Sequence, residues 1–543
     1  MLGLRASQPT RIDWWAASSF TFAFLLLAPL LAVFVGIFEE SKEWPHLART
    51  VLPGYLLNTL ILISGVGLLS ACFAIPTAWL IATYEFPGRR FWQWALVMPL
   101  AVPTFASAFT YFDILEFCIP LLVKVREIGG IEVMQWVERV IRYGTLITLL
   151  SGVLYPYLFI LLRTTFESQQ SVYFEAGRVL GKSPRSIFRS VALPLARPAL
   201  IAGLSLITME VISDYGAVNF FGVPTLTEGI FRTWFGLGDR VSGLRLAAMV
   251  VALVFIVLWL ESWQRKRQRY AESSQASRPH RRLSQSRFGS ILAVICCALP
   301  VLIGFAYPVC RLVSWAMIAG GNFDYSKFFE QVVSSLLLAA SSSLIITLLA
   351  FFLAFCASVH AGWRLPKWIQ ASTLGYAIPS VVTGVGVMVL FGGIDRFSHS
   401  FGLSLILSGT LVAIGFAYAV RFMTVAYKPL GAAMDSVCGS LHEASRVLRK
   451  GRWSSLFKIH LPLLKLNMLA CATLVFIDIS KELPLTLVLR PSGFETLATF
   501  AFGFAKEGQI YDCALPSLLI TLLGVCGLLF INRWIQDKTI HDT

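Results

Sequence analysis

Charge is the scarcest property of this chain. Only 14% of its 543 residues are Asp, Glu, Lys or Arg, against 56% hydrophobic residues and a mean hydropathy of +0.71, a balance that excludes a soluble globular protein. Transition-metal patterns are missing too: the seven histidines include no H-x-x-x-H pair, so the sequence leaves any metal ligand unknown. The ten cysteines contain no C-x-x-C pair and lie mostly inside apolar runs, where they read as small buried hydrophobes. A cleavable signal is not expected either. The apolar run from Trp14 to Phe38 is too long for a signal core and follows Arg5 and Arg11, so it reads as a retained first helix with a cytosolic N-terminus.

What remains is a polytopic membrane protein. The formal charge of +15 comes from Lys and Arg in short loops between apolar spans, the positive-inside bias rather than a nucleic-acid surface. About twelve runs are long enough to cross a bilayer. They fall near 16–37, 55–84, 92–117, 141–162, from Ala199 onward, 241–262, 290–319, 330–360, 368–392, 402–427, 464–488 and 513–534. Pro99 and Pro103 are expected to kink the third. Residues 118–140 mix charge with apolar positions and predict an interfacial helix on the outer side, and residues 219–239 an outer loop. Trp263 to Arg287 carries eight Arg or Lys against one Glu and predicts a solvated cytosolic tether.

One polar stretch interrupts this pattern twice. Glu175 to Pro194 reads EAGRVLGKSPRSIFRSVALP, and Glu443 to Pro462 reads EASRVLRKGRWSSLFKIHLP, with the same offset at both ends (443 − 175 = 462 − 194 = 268). The chain therefore divides into two tandem six-helix repeats, residues 1–262 and 290–543, joined by the basic linker 263–289. Span counting places both stretches, the linker and both termini in the cytosol. In the first copy Gly181 suits a left-handed turn that ends one short helix. Ser183 and Pro184 suit the N-cap and first position of the next. Ile187, Phe188 and Val191 form its apolar stripe, with Arg185 and Arg189 facing away, and Leu193-Pro194 and Pro198 are expected to break it. Gly177-x3-Gly181-Lys182-Ser183 is one residue short of a phosphate-binding loop and follows no strand, so no nucleotide site is read here.

The pattern E-A-A-x3-G-x9-I-x-L-P resembles the cytosolic loop of permease subunits in binding-protein-dependent (type I) ABC importers. In that family the loop holds the coupling helix gripped by the ATPase. Carried over residue by residue, the resemblance assigns ATPase coupling to Glu175, Ala176, Gly177, Gly181, Leu193 and Pro194, and to Glu443, Ala444, Leu461 and Pro462. The second copy departs from the pattern at Ser445 and at Arg449, which stands where glycine is expected.

Acidic residues inside spans are functional candidates by default. Glu210 lies about 17 Å into the fifth span at the helical rise, and the repeat offset maps it onto Asp478, Asp214 onto Glu482, and Ser213 onto Lys481. Four carboxylates around one Lys would favour a hard cation over an anion. The alternative is that Glu210 and Asp478 cap unwound helix segments or hydrogen-bond neighbouring spans, since Gly216 and Pro484 lie just beyond.

The wording MEVISDYGAVNFFG and DISKELPLTLVLRPSGFETLATFAFGFAKEG is similar to ferric-iron importer permeases with two fused six-helix halves. The resemblance implies an all-α membrane fold in the bacterial inner membrane, two ATPase subunits that bind the ATP, an extracytoplasmic substrate-binding protein, no cofactor on this chain and no enzymatic activity of its own. Fused thiamine permeases share the length and duplication. A twelve-span secondary transporter is the reading from outside the class, and it predicts an inverted repeat that this sequence lacks.

Overall fold

The computed structural model describes residues 14–169, 181–266, 282–319, 323–359, 365–403, 406–447 and 452–541. Among them twelve long apolar segments run in order: α1 Trp14–Gly36, α2 Leu52–Thr83, α3 (Arg89–Ala101 and Thr104–Phe117), α4 Ile119–Gln169, α5 (Pro184–Leu195 and Arg197–Ser213), α6 Arg240–Lys266, α7 Arg287–Ile318, α8 Tyr325–Val359, α9 Ser380–Ser400, α10 Leu411–Val447, α11 Arg452–Ser480 and α12 Ala514–His541. The expected all-α architecture of about twelve spans is what folds.

Prolines shape the spans without simply ending them. Three of these spans contain a π turn, at Phe188–Ala192, Leu302–Ala306 and Leu456–His460. Each is followed by a residue-proline pair: Leu193-Pro194, Tyr307-Pro308 and Leu461-Pro462. A proline lacks its N–H and clashes with the carbonyl four residues back. That carbonyl lies in the π turn in every case, so the wider turn absorbs the proline and the helix continues. The expected break at Leu193-Pro194 is therefore absent. The chain bends instead by 64° at Ala196, just before Pro198. At the repeat offset Pro198 corresponds to Leu466, and α11 runs on through Ser480.

The third span of each half is interrupted in the same way. Short 3₁₀ turns, Met98–Ala101 and Thr373–Ala377, lead to extended residues Val102 and Ile378, and Pro103 and Pro379 then open the next helix. In α3 the two pieces meet at 91°. Residues 118–140 are helical and continuous with the fourth span except at Gly130, whose φ of 78° breaks the helix. Residues 219–239, expected as a loop, are largely helical instead, with Leu226–Phe231 and the π turn Arg232–Gly236.

Two compact units form. One comprises Met1–Phe38, Val332–Glu495 and Ile531–Thr543, so α1 folds with the second-half helices; the other comprises Glu39–Gln331 and Thr496–Phe530, so α7 folds with the first half. In the first unit a Cβ on Gly386 of α9 would lie 2.5 Å from the Pro29 carbonyl of α1, so only glycine allows this approach. In the second, Gly304 of α7 meets the Gly152 carbonyl of α4, and Tyr111 and Tyr307 hydrogen-bond the Ile303 and Thr110 carbonyls across α3 and α7. Small residues that let backbones approach are the usual glue between apolar helices.

The linker is pinned at its far end. β1 (Tyr84–Glu85) pairs in parallel with β2 (Leu283–Ser284), and Arg282 lies 3.8 Å from Glu167 at the end of α4. Residues 267–281 of the expected tether lie outside the described residues.

A Cβ at Gly304 would overlap the Gly152 oxygen. Gly304→Val should therefore cost about 3 kcal/mol and lower the melting temperature in detergent, whereas Gly392→Ala, with open space around it, should not. Equal melting of Gly304→Val and wild type would contradict the close crossing of α4 and α7.

Candidate functional site

The repeated segment builds an exposed face from local rules. Gly181 has φ +71°, the Ser183 hydroxyl accepts a bond from the Ser186 N–H at 3.3 Å, and Pro184 occupies the first helical turn. Ile187 is buried, and Phe188 lies 4.9 Å from Trp79 and 6.2 Å from Phe166, which themselves meet at 5.4 Å. This aromatic trio seats the first copy on the ends of α2 and α4. Arg185, Arg189 and Ser190 remain exposed on the opposite side. Leu193 and Pro194 lie half-buried on the path into α5. Glu175, Ala176 and Gly177 fall outside the described residues.

The second copy keeps the backbone and changes the chemistry. Glu443 and Ala444 lie on the last turns of α10, and Leu461-Pro462 follow the π turn in α11. Arg449 lies outside the described residues. At the repeat offset, Arg185 and Arg189 become Trp453 and Phe457, exposed and stacked at 5.8 Å, with Trp15 of α1 4.6 Å from Trp453. Ala192 becomes His460, fully buried, with Nδ1 2.9 Å from the Ser455 carbonyl and its ring edge-on to Phe355. The first face is basic; the second sets an aromatic pair beside the exposed Arg452 and Lys458.

The intramembrane acids divide between the two units. In the unit containing α5, that helix ends at Ser213 and Asp214 is buried, its Oδ1 accepting from the Ala217 and Val218 N–H groups at 2.9 and 3.3 Å. It caps the short helix Gly216–Phe220, where a carboxylate is favoured by the exposed amides and the helix dipole. Glu210 stands one turn earlier on α5, partly exposed.

In the unit containing α11, Glu482 repeats that role. Its Oε1 accepts from the Leu485 N–H at 3.2 Å at the start of Pro484–Leu489. Asp478 pairs with Lys481 at 2.9 Å, and Glu482 pairs with Arg421 of α10 at 3.4 Å, both members of the latter pair buried. Capping thus falls to Asp214 and Glu482, not to Asp478, for which the sequence raises it as the alternative and which pairs with Lys481 instead. Arg421 escaped the sequence reading although its signal was there: an arginine inside the apolar run AYAVRFM. Among the described residues no three His, Cys, Asp or Glu side chains are placed to hold a metal ion together.

Comparison with known proteins agrees with this architecture. Residues 74–270 match the model of the binding-protein-dependent transport system inner membrane component. The chain is 23% identical over 491 residues to the Fe(3+)-transport system permease protein FbpB 2 of Haemophilus influenzae, covering 88% of each. It is 28% identical over 253 residues to the sulfate transport system permease protein CysW of Escherichia coli K12, covering 44% of this chain and 82% of the relative. The putative 2-aminoethylphosphonate transport system permease protein PhnV of Salmonella choleraesuis is 27% identical over 209 residues, covering 35% of this chain and 76% of the relative. Residues 74–270 thus resemble the inner membrane component of binding-protein-dependent transport systems, and the chain is similar across both of its halves to a permease named for Fe(3+) transport.

Proposed function

We propose that this chain is the translocation subunit of an ATP-driven importer for ferric iron. The observation that carries the reading is likeness at full length. The relative named for Fe(3+) transport aligns over both halves, whereas CysW and PhnV align over less than half of this chain. A binding protein delivers the cargo on the outer side. Two ATPase subunits hold the repeated segments on the cytosolic side, where both termini also lie. ATP-driven closure of the ATPases pulls on the two segments, and α5 and α11, which leave them, open the pathway alternately to the two sides.

Fe(III) is a hard cation and favours oxygen ligands. Asp214 and Glu482 are engaged as helix caps, which leaves Glu210 and Asp478 as the candidates to face cargo. The names of the shorter relatives make an oxyanion the second reading, and thiamine is the third.

Uptake of radiolabelled iron, thiamine and sulfate in a strain lacking this chain separates the three. Loss of iron uptake alone is expected; a defect confined to sulfate or thiamine would overturn the cargo. Gly181 must hold a left-handed backbone, and space around its Cβ is open, so Gly181→Asp acts through backbone strain of about 1–2 kcal/mol and through charge. Gly181→Asp and Glu175→Lys should abolish uptake and weaken co-purification of the ATPase while leaving membrane insertion intact. Normal uptake in both would count against the coupling assignment.

A further inference from the structure

α10 and α11 are joined at one end by the second repeated segment, since α10 leads into it and α11 leaves it. Some 30 Å away, by the helical rise over residues 462–482, they are joined again by side chains. The buried Arg421 guanidinium of α10 sits 3.4 Å from the Glu482 carboxylate just beyond α11, and its Nη1 donates to the Ile378 carbonyl at 2.8 Å. Ile378 is the extended residue that precedes Pro379 and α9. One side chain thus ties together two interrupted spans.

The same face of α10 reinforces the tie. Tyr418 hydrogen-bonds Thr486 at 2.7 Å, Thr486 donates to the Glu482 carbonyl at 3.1 Å, and the Thr424 hydroxyl donates to the Thr373 carbonyl. A Cβ on Gly375 would overlap the Val420 carbonyl, so the 3₁₀ turn Thr373–Ala377 lies directly against the α10 backbone. The first half differs. At the repeat offset Arg421 corresponds to Val153, Asp214 is held by backbone amides and by the Thr104 hydroxyl rather than by a buried arginine, and the helix leaving the first segment is bent by 64°.

We infer that Arg421 is a positioning residue that clasps α10 to the Glu482 break, so that the second half moves as a stiff lever between its cytosolic segment and the interrupted spans. This rests on the importer reading above. A buried pair can be lost without loss of fold when both charges go together, whereas removing one partner leaves an uncompensated charge. The test is therefore R421M/E482Q, in which the amide oxygen introduced by E482Q still accepts from the Leu485 N–H.

Reconstituted with its ATPase and binding protein, this double variant should insert and hydrolyse ATP at the wild-type basal rate. Cargo moved per ATP should fall about tenfold. A purely structural pair would leave that ratio unchanged, and an unchanged ratio overturns the proposal. R421K keeps the ion pair but cannot fork to both acceptors, and should show an intermediate loss; wild-type behaviour of R421K would overturn the two-way tie. If the wild-type assembly neither binds an ATPase nor transports, it is the importer reading that fails. The clasp is then read on the purified chain by hydrogen exchange of residues 479–485, expected to quicken about tenfold in R421M/E482Q. Unchanged exchange there would sink the clasp independently.

Discussion

An amide or carbonyl left unpaired in an apolar layer costs several kcal/mol, and among the described residues four spans are interrupted. Each interruption needs a local answer. Val102-Pro103 and Ile378-Pro379 use a proline, which removes one donor, between a 3₁₀ turn and a new helix. Ser213–Gly216 and Ser480–Pro484 use a carboxylate that accepts from the first amides of the next helix. At the last two of these points irregular backbone and acidic side chains coexist, and all four candidate acids lie in or beside them.

The duplication preserved this scheme while the chemistry of the halves diverged. Copy one of the repeated segment offers Arg185 and Arg189 where copy two offers Trp453 and Phe457, and buries Ala192 where copy two buries His460. Pro198 adds a bend that Leu466 lacks. Copy two also exposes Arg452 and Lys458, so both copies present cations and copy two adds an aromatic pair. The difference at Gly181 against Arg449 is therefore one of several, and the exposed substitutions change what each surface offers a partner more directly than a turn does.

What the sequence made legible was what depends on neighbours along the chain. The left-handed Gly181, the Ser183 cap, the Pro184 start and the Ile187–Phe188 stripe all follow from residue types at fixed spacing. The span count follows from apolar length. Proline was misjudged at 194 because the cost of a proline depends on whether the preceding turn can widen, which no residue type announces. The pairing of Leu283–Ser284 with Tyr84–Glu85 was hidden because it joins segments about two hundred positions apart. Arg421 was hidden differently: its residue type is conspicuous in an apolar span, but only the fold brings Glu482 and the Ile378 carbonyl to it.

The division into units also explains how two halves tolerate being one chain. α6 and α7, which the linker connects, both belong to the unit formed by Glu39–Gln331 and Thr496–Phe530. The linker therefore spans no boundary, and its end can be fixed to β1 and Glu167 without restraining one unit against the other. The chain passes between units elsewhere: after Phe38, after Gln331, after Glu495 and after Phe530. A covalent join that crosses no boundary need not be long or slack to be tolerated, and its described end, Arg282 to Ser284, sits beside the end of α4 that leads to the first repeated segment.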